Sequence, residues 1–320
     1  MIWLSWRQQR VETAMGAALL LLATALLVPA GVHMASVYSS SGAAACVGHR
    51  AATGAGCGSI VDDFMHRFEH AGGIVPWLNF LPGLFGVLFA APLVLELEHC
   101  TFRLSWTQSI TRRRWLTLKL TTIYASGLLS TVALTVLLTW WRQPLDSLQG
   151  RMEPNVFDFE GIVPFAYTLF ALSLVLALGV FTRRTLVATA GGLLGYFGLR
   201  ISIQTWVREH YQAPIKVVWR PGREGPSNLG HAWNIVSGPS DAHGHPLPIQ
   251  AVAPCMSGRA SASAKGGIQS CLDAHHIYNI AVYQPASRFW LFQGIEASIF
   301  AGLGAALLIA AIWWLRHRIG

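Results

Sequence analysis

The sequence predicts an all-α membrane protein with six transmembrane helices, an N-terminal interfacial helix, a short cytoplasmic helix and a large last extracellular loop. Three observations carry this. The first is composition: 53% of the 320 residues are hydrophobic and 12% are charged, about half the charged share usual in soluble domains. The second is six apolar runs, Thr13–Met34, Val75–Leu95, Leu118–Trp141, Ile162–Phe181, Leu186–Gln204 and Phe289–Leu315. Each is close to the roughly 20 residues that a helix needs to cross a bilayer core, and none alternates as a barrel strand would. The third is where the basic residues fall. Arg7, Arg10, Arg103, Arg112, Arg113, Arg114, Lys119, Arg183, Arg184, Arg316 and Arg318 flank the runs on one side, against Arg50, Arg67, Arg142 and Arg151 in the shorter loops opposite. Cytoplasmic loops collect Lys and Arg, so a multi-pass protein of the plasma membrane with both termini cytoplasmic is expected. The net charge of +8 then orients helices and implies no nucleic-acid partner.

Taken in order, residues 1–12 set Trp3 and Trp6 beside Arg7 and Arg10, a mixture suited to the headgroup layer and read as an interfacial helix. The first apolar run follows two tryptophans and lacks a small-x-small cleavage site, so it is a span and not a signal peptide. Residues 13–204 hold spans one to five. Their first outer loop, 35–73, starts small and flexible and ends with Ile60, Phe64, Met65 and Phe68 at helical spacing, an amphipathic outer helix. The second span carries Pro76, Pro82 and Pro92, which kink or hinge membrane helices. A basic and aromatic cytoplasmic stretch, 96–117, leads into the third span. The second outer loop, Arg142–Glu160, is short, and glycines and Arg200 dilute the fifth span. Residues 205–288 are too many for a simple connection. Their middle is rich in Gly, Pro and Ser, with VVW at 217–219 readable as a short strand. Residues 289–320 are the sixth span and a cytoplasmic tail.

The cysteines agree with this topology. Cys46 and Cys57 fall in the first outer loop, Cys255 and Cys271 in the last, and Cys100 alone on the cytoplasmic side. Disulfides persist outside the reducing cytosol, so two outer pairs, Cys46–Cys57 and Cys255–Cys271, are expected. Charges inside a bilayer are costly and usually paired. Arg200 and Glu296 both project to the outer half, about 21 Å and 26 Å along antiparallel helices from their cytoplasmic ends, and are expected to pair with each other, directly or through water. His243 and His245 near Asp241, and His275 and His276 near Asp273, match no zinc spacing and read as solvated loop residues. The chain has no phosphate loop, dinucleotide fingerprint, GxSxG elbow or HExxH, so it carries no nucleotide or nucleophile chemistry of its own.

The densest cluster is LELEHCTFRLSWTQSITRRRWLTLK after the second span. Glu96 and Glu98 close that span, Thr101 is suited to cap a short helix, and Phe102, Arg103, Leu104 and Trp106 give that helix an aromatic and basic surface that suits docking. The Glu96-x-Glu98-x-x-Thr101 pattern with RLSWTQSITRRRWL, the opening WLSWRQQR and the closing YQPASRFWLFQGIE resemble the permease subunit of ABC-2 type transporters, most of all those of actinobacterial, type V exporter-like systems. The resemblance runs over nearly the whole chain. It departs at Cys100, where the family commonly has glycine, a change that stiffens the turn. It implies a coupling helix at Thr101–Ile110 seated on a cognate ABC ATPase subunit, with ATP and magnesium held by that partner and no cofactor here. It also implies a second copy of the chain or a related permease beside it. A push at the ATPase would pass through Glu96 and Glu98 into the second span and its prolines. The cargo expected is amphipathic or hydrophobic, a drug, antibiotic, lipid or peptide-like compound, because the spans offer apolar surface and few charges. A reading from another class is a sensory or scaffolding membrane protein whose outer loops bind a ligand or partner. An intramembrane hydrolase fits least, since no Ser/His/Asp or His/Glu set converges in the spans.

Overall fold

Helix α1 covers Ile2–Ser40 without a break in the computed structural model, which describes residues 2–47, 57–101, 111–223, 225–226, 229–256 and 267–318. Among the described residues six helices are long and apolar enough to cross a membrane, and each overlaps one of the six predicted runs. The separate interfacial helix does not occur: residues 2–12 are the first turns of α1. No proline or glycine lies between Arg7 and Met15, so the helical ladder continues. At about 1.5 Å per residue, α1 runs well beyond a hydrocarbon core of roughly 30 Å.

Helix α2 (Cys57–Leu78) is amphipathic as expected, with Val61 and Phe64 buried and Asp62 and Arg67 exposed. A turn at Asn79 and Phe80 separates it from α3 (Leu81–Glu98). Helix α4 spans Arg112–Gln149, about two turns beyond the predicted end of the third span. A single turn, α5 (Pro154–Phe157), leads to α6 (Val163–Thr182). Helix α7 (Thr185–Ser202) continues through a π-helical turn, Ile203–Val207, and a short 3-10 turn, Arg208–His210. The sixth membrane helix is α10 (Phe289–Arg318).

The last loop corrects the all-α expectation. It holds an antiparallel sheet with strand order β1-β3-β2, built from β1 (Ile215–Trp219), β2 (Trp233–Ser240) and β3 (Tyr278–Gln284). The β-branched Ile215, Val217, Val218, Ile235 and Val236 suit such a pleated surface. Two short helices, α8 (Ala253–Met256) and α9 (Gly267–Ala274), precede β3. Disulfides Cys46–Cys57 and Cys255–Cys271 join Cα atoms 5.5 and 5.6 Å apart, well within bridging geometry. The first ties α2 to the turn after α1, and the second ties α8 to α9.

Helix α6 is central and packs on α10, α3, α7 and α4. Its approach to α3 is set by glycine. A Cβ on Gly86 would lie 2.5 Å from that of Ala171, and one on Gly179 would lie 2.3 Å from a Val94 methyl, the small-residue packing that membrane helices use in place of a hydrophobic drive. Hydroxyls add to it between α4 and α6, with Thr131 on Thr168 at 2.8 Å and Tyr124 on Ser173 at 2.6 Å. The buried side chains form two clusters. One holds most of the α1, α2, α3 and α4 contacts and the lower part of α6. The other joins α5, α7, α10 and the upper part of α6. Leu21, Leu22 and Leu26 of α1, Leu194 of α7 and Ile309 of α10 face outward, as lipid-facing positions do.

Candidate functional site

Two sets of polar residues lie at opposite ends of the helices. The first is at the end of α3. Glu96 Oε1 accepts from Lys119 Nζ at 2.5 Å, and Lys119 is buried. Glu98 Oε2 accepts from the backbone N–H of Thr185 at 2.8 Å. That amide is one of the unpaired donors at the start of α7, where an anion is favoured. The two glutamates therefore bond the tip of α3 to the first turns of both α4 and α7. The turn after them closes as a Schellman motif, in which the Thr101 N–H bonds the Glu96 carbonyl at 3.2 Å and Cys100 takes φ +55°. Glycine is the residue usual at that left-handed position. Phe102, Arg103, Leu104 and Trp106 lie outside the described residues, so the docking surface has no structural account. Of the prolines read as hinges, Pro92 is inside α3, but Pro82 begins it. The break falls earlier, at Asn79 and Phe80, because proline is tolerated in the first helical turn. The side chain of Pro76 lies outside the described residues.

The second set is buried at the end that carries the sheet. Asp158, Arg200, Arg208 and Glu296 are each at most 4% exposed. Arg208 grips Glu296 with two N–H groups, Nε to Oε2 at 2.8 Å and Nη2 to Oε1 at 2.7 Å. Its Nη2 also contacts Asp158 Oδ1. Arg200 Nη2 bonds Asp158 Oδ2 at 2.5 Å. The Tyr167 hydroxyl lies between the acids, 3.0 Å from Asp158 Oδ1 and 2.5 Å from Glu296 Oε1. It has one proton, so it donates to one carboxylate at a time. Tyr211 adds a hydroxyl to Glu296 Oε2 at 3.2 Å. Burial works to raise the Asp158 carboxyl, but Arg208 and Arg200 outweigh it and hold it below its ordinary range.

Of the expected pairing of Arg200 with Glu296, directly or through water, the direct form is not the one made. Arg200 goes to Asp158 and Glu296 goes to Arg208, and the two are joined only through these partners and Tyr167. The reason is local. Eight residues separate Arg200 from Arg208, which in a regular helix puts them about 80° apart. The π turn takes up one extra residue, so both guanidinium groups come to the same face. Asp158 then arrives from the segment before α6 and occupies the position between them. Sequence reading missed Arg208 because it was assigned to the last loop, Asp158 because it sits in a short connection, and Tyr167 because its span reads as apolar. An arginine eight residues past another, at the end of a span, was the available signal.

Gln293 fixes this set in place. Its side-chain carbonyl accepts from the N–H groups of Ile162 and Val163 at 3.0 and 2.9 Å, and its amide donates to the Phe157 carbonyl at 2.9 Å. It caps α6 from α10. The sheet is tied to the same place, since the Gln284 amide donates to the carbonyls of Glu209 and Gln212. Beyond these, Glu160 is fully buried, and among the described residues neither of its oxygens meets a donor. Burial, then Asp146 beside it, pushes its carboxyl up to about 9, against the pull of Arg151, whose Nε lies 3.9 Å from Oε2.

Of the loop histidines, His245 and His243 wrap Asp241. Both backbone N–H groups bond Oδ1 at 2.8 Å, and the His245 ring lies 2.9 Å from Oδ2. His275 has a ring nitrogen within 4.8 Å of the Cys255 and Cys271 sulfurs, but those sulfurs are joined in a disulfide and a thiolate is the metal-binding form.

No curated protein and no solved structure matches the chain significantly. The ABC-2 membrane transporter related family matches residues 17–208, from within α1 to Arg208. That stretch includes five of the six membrane-length helices and the Glu96–Glu98 segment. The match covers well over half of the chain, and the chain belongs to the ABC-2 membrane transporter related family.

Proposed function

We propose that the chain is the membrane-spanning subunit of an ATP-driven exporter of an amphipathic or hydrophobic compound, working with a separate cognate ATPase subunit and with a second copy of itself or a related permease. The observation that carries this is the double tether of the α3 tip, Glu96 to Lys119 and Glu98 to Thr185, immediately before the segment 102–110. A displacement of that segment reaches α3, α4 and α7 together. The family match supports the transport reading, and the missing phosphate loop calls for ATP chemistry on another chain. The basic flanks of the spans and the free Cys100 support placing this end in the cytosol, with the disulfides and the sheet outside the plasma membrane. Exposed aliphatic side chains on α1, α7 and α10 support lipid contact.

The test is co-purification with a candidate ABC ATPase subunit co-expressed with this chain, followed by ATPase assays with Trp106→Glu. Wild type is expected to form the complex. The variant is expected to insert in the membrane and lose the ATPase. A Trp106→Glu complex that forms and hydrolyses ATP normally removes the coupling assignment.

A further inference from the structure

At the sheet-bearing end a half-open cavity of about 340 Å³ lies between α2, the end of α4 and the segment before α6. It is separate from the Asp158–Arg208 set. Met65, Phe68 and Leu145 give it apolar lining, and Asp62, Arg142 and Glu153 give it charge. Arg142 is the unusual member. Its side chain is 4% exposed, and Nε is anchored on Asp146 Oδ1 at 2.8 Å. Its Nη2 has no hydrogen bond. The carboxylate nearest to it in an ion pair is Glu153, at 4.0 Å, and that side chain is 52% exposed. A buried guanidinium N–H without an acceptor has given up its water and gained nothing in return. The arrangement is a buried donor held in place, with a loosely held carboxylate as its stand-in partner.

A lone anion is poorly suited here, because it would meet Asp62 and Glu153. A lone cation would leave Arg142 unsatisfied. We propose that this cavity binds a zwitterion, a phosphate or carboxylate next to a primary ammonium. The anionic group replaces Glu153 at Arg142 Nη2, and a charge-assisted, directional bond forms where none exists now. The displaced Glu153 and the exposed Asp62 hold the ammonium. Met65, Phe68 and Leu145 contact the carbon that joins or extends the two groups. A lipid headgroup and a free soluble zwitterion share this chemistry. The inference goes beyond the export reading, and it is tested on binding alone, so either can fail without the other.

The experiment uses the full chain purified in maltoside detergent, with titration calorimetry and thermal melting. The probes are O-phosphoethanolamine, a short-chain phosphatidylethanolamine, inorganic phosphate alone and ethanolamine alone. Either zwitterion is expected to bind and raise the melting temperature, with phosphate alone and ethanolamine alone weaker by roughly tenfold or more. Asp62→Asn and Glu153→Gln, both on accessible side chains, are each expected to weaken zwitterion binding by roughly tenfold, and Arg142→Gln to abolish it. Short-chain phosphatidylethanolamine binding at least about tenfold tighter than its free headgroup identifies a lipid, and equal affinity identifies a soluble zwitterion. Absence of binding by both zwitterions overturns the proposal. So does phosphate or ethanolamine alone binding as tightly, or wild-type affinity in the combined Asp62→Asn, Glu153→Gln variant. That combined variant decides the matter even where Arg142→Gln fails to fold.

Discussion

Arg208 is the residue on which the buried set depends, since among the described residues it is the cation paired with both Asp158 and Glu296. Arg208→Met would leave two carboxylates in the interior with one guanidinium between them. Removing one partner from a buried pair costs about 3–5 kcal/mol, so a markedly lower melting temperature in detergent is expected. Arg208→Lys should recover only part, because a point charge cannot reproduce the two-pronged hold on Glu296. A charge swap of Arg200 with Glu296 should worsen the loss, because it sets a carboxylate against Asp158 and a guanidinium against Arg208. Wild-type melting in Arg208→Met would sink this account. Glu160 gives a second prediction, in pH. Its carboxyl is raised by burial and by Asp146 from the ordinary 4.5 to about 9. The folded state therefore holds a proton that the unfolded chain releases above pH 4.5. That makes stability fall as pH rises from about 4.5 toward 9, with no such penalty below. Glu160→Gln keeps the shape without the titration. It should melt a few degrees above wild type at pH 8.5 and level with it at pH 5. A gap independent of pH would mean that Glu160 is already ionised when folded.

At the scale of elements, the helices were legible because twenty apolar residues in a row leave few alternatives, and the amphipathic outer helix because Ile60, Phe64 and Phe68 repeat at its period. Helix ends were less legible. Trp3, Trp6, Arg7 and Arg10 read as a separate interfacial helix, yet no backbone signal stops α1 there. The π turn at Ile203–Val207 leaves no mark in composition, and without it Arg208 cannot be assigned to the interior. The turn after α3 was legible for a physical reason: the family's usual glycine is where the structure needs a positive φ. Cys100 occupies that position at φ +55°, where an L side chain costs about 1–2 kcal/mol relative to glycine. Cys100→Gly is therefore expected to stabilise the protein by up to about 1 kcal/mol, the unfolded chain's extra freedom taking back the rest. Chemical denaturation against wild type measures it. A destabilised variant would show that the cysteine side chain contributes more than the strained backbone costs.

For the whole molecule, the six-helix count and the two cysteine pairs were readable, while the sheet was not, beyond VVW at 217–219. Its strands come from three separated segments, and pairing over that distance has no local signature. The disulfides test the arrangement directly. Unreduced peptide mapping is expected to find Cys46 linked to Cys57 and Cys255 to Cys271, with Cys100 free. Removing either pair should cost roughly 3 kcal/mol by the loop-entropy argument and leave the helices assembled. A Cys46–Cys255 link would contradict it.

The double tether at the tip of α3 also sets an order of failure. One tie is an ion pair to the buried Lys119, and it holds α3 to the side of the molecule that contains α1 and α4. The other is a single bond from the exposed Thr185 amide, and it holds α3 to α7 and through it to the Asp158–Arg208 set. Water competes for the second and barely reaches the first. Under rising load at that tip the Glu98 tie is therefore expected to give way before the Glu96 tie, so the link to α7 acts as the fuse and the link to α4 as the anchor.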